Sequence, residues 1–281
     1  MGTKLMPGRT REYYEQSALW ERDLYEDAHE AARITDVIAA IPPDTRSILD
    51  AGCGNGAFLN RLLDQPPGRF ERLAGLDASM EALKHVRTER RPGSVSELPF
   101  DDSSFDLVTA MEVLEHLPQP DFQAAIKEIR RVSRRYILIT VPNAQNLAQA
   151  LVMCPMCCCC FNPAFHVRSF DADGLRDLFA GCRPLRIAEI GPRSRRRLYG
   201  RTLRHALRLF SGSCPPRATA VCPQCGFQQG DDTTCAAHSP GIARPVARAL
   251  LTLNRLVTEL APRRSVSTWL LALYEKTEPG A

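Results

Sequence analysis

LDAGCGNGAFLN occupies residues 49–60. Glycine stands at alternate positions, Gly52, Gly54 and Gly56, directly after the apolar stretch Ile48-Leu49. A short apolar run (46–51), a glycine-rich segment and a helical pattern from Ala57 to Leu63 predict a buried strand, a tight turn and a helix. Glycine lets the backbone approach a ligand because no side chain intervenes. Gly52-x-Gly54-x-x-Ala57 satisfies the G-x-G-x-x-G/A pattern of nucleotide-binding turns, and Asp77 follows at about the spacing that pattern asks for. Asp50 alters the reading. A carboxylate two residues before the first glycine would face the diphosphate of a nicotinamide cofactor, which is unfavourable. It suits a ligand with a cationic end instead. Asp77, with two acceptor oxygens, suits both hydroxyls of a ribose.

Outward from this turn, strands and helices alternate. Residues 10–41 carry apolar residues three or four apart and predict a helix that Pro42-Pro43 stops. LAGLD (73–77) predicts a second strand, and residues 79–89 a helix capped by Ser79. Strands are expected at 105–111, 135–142, 184–192 and 269–276, and helices at 120–133 and 170–181. Most strands are apolar on both faces, which implies a parallel sheet covered on both sides. Four segments follow: an N-terminal helical cap (1–45), a core (46–192), a helical insertion with a cysteine-rich loop (193–264), and the last core strand with its tail (265–281).

The 281 residues and an apolar fraction of 44% allow a sizeable core. The N-terminus has no apolar segment of the secretory kind, and no run reaches the roughly 20 apolar residues of a membrane span. A soluble cytoplasmic protein is expected. Eleven cysteines in a reducing compartment then read as metal ligands or core thiols rather than disulfides. The net charge of +4 does not by itself argue for nucleic acid.

LDAGCGNG (49–56), GLDAS (75–79), ELPFDDSSFDLVTAMEVLEHL (97–117) and FHVRSFDADGLRDLF (165–179) resemble the successive motifs of class I S-adenosylmethionine-dependent methyltransferases of the small-molecule type. The likeness covers about residues 10–192 and 269–276. It implies an α/β, Rossmann-like sheet of seven strands, mostly parallel, with helices on both faces, the last strand antiparallel and inserted beside the sixth. A helical, zinc-knuckle insertion would precede that strand. It also implies roles: Asp50, Gly52, Gly54 and Gly56 hold the methionine portion, Asp77 the ribose, Ser94 and Val95 the adenine, and Met111-Glu112 the amino group through backbone carbonyls. Ser94 departs from the pattern, since an acid often stands there; Glu97 could substitute. His116 is the candidate catalytic residue, able to take a proton from an acceptor, or else a packing residue beneath the loop. His166 is a weaker candidate that would order its loop. The N-P-P-[YF] motif of base-amine methyltransferases is absent; MEVLEH stands in its place.

Two copies of C-P-x-C, Cys154-Pro-Met-Cys157 and Cys222-Pro-Gln-Cys225, present two thiolates each to a tetrahedral ion. A rival set is Cys222, Cys225, Cys235 and His238, and the run Cys157–Cys160 contains a further C-x-x-C. Zinc on the first set, zinc on the rival set and no metal all remain open. RSRRRLYGRTLRHALRLF (193–210) holds seven arginines and no acid. It is read as a basic helix, docked on the core or facing an anionic lipid surface or an anionic acceptor. RNA is disfavoured because aromatic residues for stacking are not interleaved with the arginines.

The leading expectation is an enzyme that moves a methyl group from S-adenosylmethionine to a small-molecule or lipid-like acceptor. The alternative is a catalytically silent methyltransferase-like module that binds partners through its zinc-stapled insertion. A nicotinamide-dependent oxidoreductase is disfavoured by Asp50. Tyr13, Tyr14, Trp20 and Tyr25 make the N-terminal segment either a lid over the cleft or an anchor on the sheet.

Overall fold

A computed structural model describes residues 12–21, 27–145, 147, 152–154, 156–157, 159–197, 221–227 and 263–277. By contacts the chain divides into two units: residues 1–13, 146–166 and 193–266 form the first, and residues 14–145, 167–192 and 267–281 the second. The described part of the expected 193–264 insertion thus belongs with residues 146–166, which the sequence reading assigned to the core.

The second unit contains most of the sheet. Seven strands, β1 (Ser47–Ala51), β2 (Arg72–Asp77), β3 (Glu89–Pro92), β4 (Phe105–Met111), β5 (Ser133–Pro142), β8 (Cys182–Arg197) and β9 (Arg263–Lys276), lie in the order β3-β2-β1-β4-β5-β9-β8. The strands β1 to β5 pair in parallel, and β9 pairs antiparallel with β5 from Tyr136↔Glu275 to Pro142↔Trp269. The late strand lies between β5 and β8, as expected. Alternation explains why the strands read as unbroken apolar runs. In β1, Leu49 and Ala51 join one buried cluster with Ile137, Ile139 and Val141. Ile48 joins another with Leu107, Tyr136 and Leu138. Both faces are covered, so both phases of the period-2 pattern are apolar.

The helices depart from the sequence reading in three places. The expected helix over 10–41 is broken: α1 is Ser17–Trp20 and α2 is Ala28–Ala39, with residues 22–26 outside the described set. The break before α1 has a cause. The Tyr14 carbonyl accepts from the Trp20 indole (2.6 Å) and the Ser79 hydroxyl (2.8 Å). The Glu15 carboxylate accepts from the amides of Met80 and Glu81. The expected helix over 79–89 ends early: α4 is Met80–Leu83. The Asn60 side chain donates to the His85 carbonyl and accepts from the Arg87 amide, drawing the chain off the helical path. Edge strand β3 then follows, unexpected because all four of its residues are exposed and ERRP has no apolar pattern. Its charges and terminal proline are what a guarded sheet edge carries. The helices α3 (Ala57–Leu62), α5 (Gln119–Val132) and α6 (Ala172–Arg176) stand where expected, α6 shorter than 170–181.

The strand β8 runs on to Arg197, so residues 193–197 are strand and not the start of a basic helix. Arg193 donates to the hydroxyl and carbonyl of Ser265, a cross-strand tie that favours extension. The remainder of the expected basic helix, 198–210, and the expected helix 241–260 lie outside the described residues, as does Tyr25. Among the described residues no helix is long and apolar enough to cross a membrane.

Candidate cofactor cleft and cysteine cluster

The glycine turn leaves β1 and is tied to the neighbouring strand. The amides of Gly52 and Cys53 both donate to the Leu76 carbonyl, at 2.7 and 2.9 Å. Gly52 has φ +87°, and a Cβ there would lie 2.4 Å from a Val113 methyl; Gly54 has φ +53°, and its Cβ would lie 3.0 Å from the Trp20 ring. Both positions therefore require glycine on conformation and on space. Asp77, at the end of β2, accepts from the Gly54 amide and from the Ser79 amide, each at 2.8 Å. One carboxylate thus fixes the turn and the start of α4 while facing the space beside them.

That space is a cleft of about 340 Å³. Asp50, Gly52, Gly54 and Asp77 line it, and so do Ser94, Val95, Met111 and His116. Eight of the nine expected non-metal site residues therefore meet at one place. Gly56 does not line the cleft; it begins α3 with φ +75°, where a Cβ would lie 2.9 Å from Val86. Glu97 is exposed and not among the lining residues. The Ser94 hydroxyl lies 2.7 Å from that of Ser96.

Asp50 is 1% exposed. Burial pushes its carboxyl up to about 7, against the opposing hydrogen bond from Thr109 (2.7 Å) and the charge of Arg33, with Asp77 adding to the rise. Burial raises Asp77 too, against its backbone hydrogen bonds. The thiol of Cys53 is buried and driven well above its ordinary value, first by burial and then by Asp50 and Asp77, which fits an inert residue.

Sequence reasoning missed the network behind these residues. Glu112 has φ +56°, rare outside glycine, and its side chain accepts from the Trp269 indole (2.9 Å) and the Thr140 hydroxyl (3.2 Å). Burial lifts it to about 7, with Arg33, Trp269 and Thr140 opposing and Glu30 assisting. Its side chain thus faces protein groups. Arg33, 8% exposed, pairs with Glu30, donates to Thr140 (3.3 Å) and lies 5.4 Å from the Trp269 ring centre. Only tertiary structure brings Arg33 beside Thr140, 107 residues away.

His116 closes a 3₁₀ turn, Leu114–His116. Its Nδ1 lies 3.1 Å from the Tyr14 hydroxyl, and its Nε2 3.9 Å from the buried Glu115 carboxyl. Burial and the charge of Glu112 hold Glu115 well above the carboxylate range. Tyr14 and Trp20 line the cleft and are bonded to the rest of the unit: Asn55 donates to the Trp20 carbonyl at 3.2 Å. They anchor the segment and wall the cleft at once. Tyr13, in the first unit, packs edge-on against Phe165 at 4.9 Å between ring centres. His166 belongs to the first unit and His116 to the second.

Residues 49–136 match the family described as Methyltransferase domain. The fold is shared with a SAM-dependent methyltransferase of Thermotoga maritima, at TM-score 0.51 and 14% identity over 97% of this chain and 100% of that one. It is shared also with the partner of the Haloferax volcanii Trm112 methyltransferase activator in their complex, at TM-score 0.54 and 18% identity over 95% and 98%. Residues 49–136 thus carry a methyltransferase domain, on a fold that the S-adenosylmethionine-dependent methyltransferase of Thermotoga maritima shares. Among curated relatives, a malonyl-[acyl-carrier protein] O-methyltransferase of Erwinia pyrifoliae is 33% identical over 135 residues, 45% of each chain. The mitochondrial ubiquinone biosynthesis O-methyltransferase of Schizosaccharomyces pombe is 36% identical over 108 residues, 34% of this chain and 38% of that one. The chain thus spans less than half the length of these two relatives.

Apart from the methyltransferase domain, in the first unit, Cys154, Cys157, Cys222 and Cys225 come together. Their four sulfurs all lie within 4.8 Å of one another. Cys154 and Cys222 are buried, Cys157 is half-buried and Cys225 exposed. Cys160 stands in a two-residue strand, β7 (Cys160–Phe161), opposite Met153 of β6 (Val152–Met153). Cys235 and His238 of the rival set lie outside the described residues.

Proposed function

We propose that this protein transfers the methyl group of S-adenosylmethionine to a small-molecule or lipid-like acceptor, and that its first unit holds one structural zinc. The observation that carries the first part is the convergence of Asp50, Asp77 and the glycine turn on a single cleft. The residues fit the cofactor. Two acids whose proton affinity is raised, the buried Asp50 and the half-buried Asp77, gain most from a cationic ligand, and the turn has no side chain where a ligand must approach. Asp50, through its own charge, and the turn at Gly52 and Gly54 would hold the cationic methionine end. Asp77 would take the ribose hydroxyls on the lone pairs that Gly54 and Ser79 leave. Ser94 and Val95 would border the adenine, and Met111 the methionine amino group. Bound there, S-adenosylmethionine supplies a methyl group already activated on a sulfonium.

The chain's own residues then have two tasks. Tyr14 and Trp20 present ring surface to the cleft, which excludes water and favours an apolar acceptor and a nearby cation. His116 takes the proton that an acceptor hydroxyl or amine releases as it is methylated, and its Tyr14 partner fixes the ring's orientation. Positioning does the rest, since an activated donor needs little beyond alignment. The two O-methyltransferases among the relatives support an oxygen acceptor without naming it.

The test uses methyl-labelled donor and a panel of phenolic, carboxylic and amine acceptors. With any acceptor that turns over, His116→Asn should lower turnover by about a hundredfold and leave S-adenosylhomocysteine affinity within about threefold. Full turnover in the variant would reduce His116 to a packing residue. No transfer to any acceptor, with intact cofactor binding, would favour the silent binding module.

A further inference from the structure

We infer that the zinc is held by Cys154, Cys157, Cys222 and Cys225 in one tetrathiolate centre built from two equivalent turns, and that this centre is what joins residues 152–161 to residues 221–227. This deepens the zinc reading above, rests on it, and is independent of the methyltransferase reading.

The two turns repeat each other in backbone as well as in sequence. In each C-P-x-C the first cysteine's amide donates to the carbonyl five residues on: Cys154 to Cys159 and Cys222 to Phe227, both at 2.9 Å. In each, the amides two and three residues on are aimed at the first sulfur, those of Met156 and Cys157 at Cys154 and those of Gln224 and Cys225 at Cys222. The Cys159 amide is aimed in the same way at Cys157. Amides gathered round sulfur are what an anionic thiolate needs and a thiol does not.

Across the centre, the first cysteine of each turn meets the second of the other. Cys154 lies 3.6 Å from Cys225, and Cys157 lies 3.6 Å from Cys222. This exchange of partners is the mark of an approximate twofold axis between the turns. The spacing also has a meaning. Four sulfurs about 2.3 Å from a zinc ion sit at tetrahedral corners about 3.8 Å apart, close to both distances. A disulfide would need about 2.05 Å. Cys154 and Cys222 are wholly buried beside Phe161, with Phe227 packed against them. Four thiolates so close repel one another in that apolar setting unless a divalent cation stands among them. Sulfur-only tetrahedral coordination selects zinc or iron.

Cys157 and Cys222 are 65 residues apart in sequence. Among the described residues the only other regular structure in this region is the β6–β7 pair, two residues on each strand. A contact so remote has to offset a large loss of chain freedom, and metal ligation is strong enough to do it.

The full chain, purified without chelator, should contain about one zinc per molecule. Cys154→Ser and Cys222→Ser should each lose nearly all of it, while Cys235→Ser and Cys182→Ser keep it. Should the ligand variants fail to fold, cobalt exchanged into the wild-type chain should give the intense visible bands and sulfur charge-transfer absorption of a tetrahedral thiolate site. Calorimetry with S-adenosylhomocysteine on the same samples reports on the cofactor cleft separately. Absence of zinc, iron in its place, loss of zinc in Cys235→Ser with retention in Cys154→Ser, or a weak octahedral cobalt spectrum would each overturn the assignment.

Discussion

Asp77→Ala should weaken S-adenosylhomocysteine binding about tenfold or more, about 1.4 kcal/mol or above, with the sheet intact. Two losses combine. The ribose loses both its carboxylate acceptors, and the amides of Gly54 and Ser79 lose the group that holds the turn against α4. Asp77→Asn separates them, since an amide oxygen can still accept from one backbone amide while offering the ribose less. Gly54→Val attacks the same site from the other side: a β-branched residue strains at φ +53° and meets the Trp20 ring. Each variant is checked by isothermal calorimetry beside a thermal melt. Wild-type affinity in both Asp77→Ala and Gly54→Val would remove the cofactor assignment.

Arg33→Met should cost about 3 kcal/mol, a fall in Tm of roughly 6–10 °C, and the loss should grow with pH. Burial works against the charge of the Arg33 guanidinium, but Glu112, Glu30 and Asp50 outweigh it and hold its proton affinity above the ordinary value. Without it the buried Asp50 and the half-buried Glu30 and Glu112 lose their compensating charge. Asp50 and Glu112 sit near 7 in the fold, against ordinary carboxylate values near about 4. Between those values the native state holds more protons than the unfolded chain, so stability falls as pH rises. Stability from these groups is whole below about pH 4 and is lost as pH climbs through 7. The ligand-free wild type should therefore melt lower at about pH 8 than at about pH 5.5, and Arg33→Met should steepen that slope. Melts across this range decide it. A small loss independent of pH would mean that Arg33 acts only through the packing of its stem.

The parts of the cleft that local sequence encodes are the parts legible in it. Gly52 and Gly54 were legible as turn glycines because backbone conformation and space both demand glycine there. Asp50 and Asp77 were legible as neighbours at one cleft because they stand at or next to the ends of consecutive parallel strands. Gly56 carries the same signal but serves the start of α3, since alternate spacing alone cannot say which glycine faces a ligand. Strand β3 was illegible: an exposed edge has no apolar phase. The helix over 79–89 misread for a related reason, as Asn60, far off in sequence, ends it. Arg33 and the side-chain bonds of Glu112 gave no local signal, because they arise only when α2, β5 and β9 pack together. The C-P-x-C repeat did speak, since two turns of one sequence fold alike. The arginines at 193–197 spoke misleadingly: their charge suggested a helix face, and the cross-strand bonds of Arg193 extend the chain instead.

One titration tests the central claim most directly. Wild-type protein is titrated in a calorimeter with S-adenosylhomocysteine and, separately, with NAD at the same concentration. Saturable binding of about one S-adenosylhomocysteine per chain, with no heat from NAD, is the result expected of Asp50 and Asp77 in a cleft built for a cationic nucleoside. Binding of NAD with none of S-adenosylhomocysteine would contradict it.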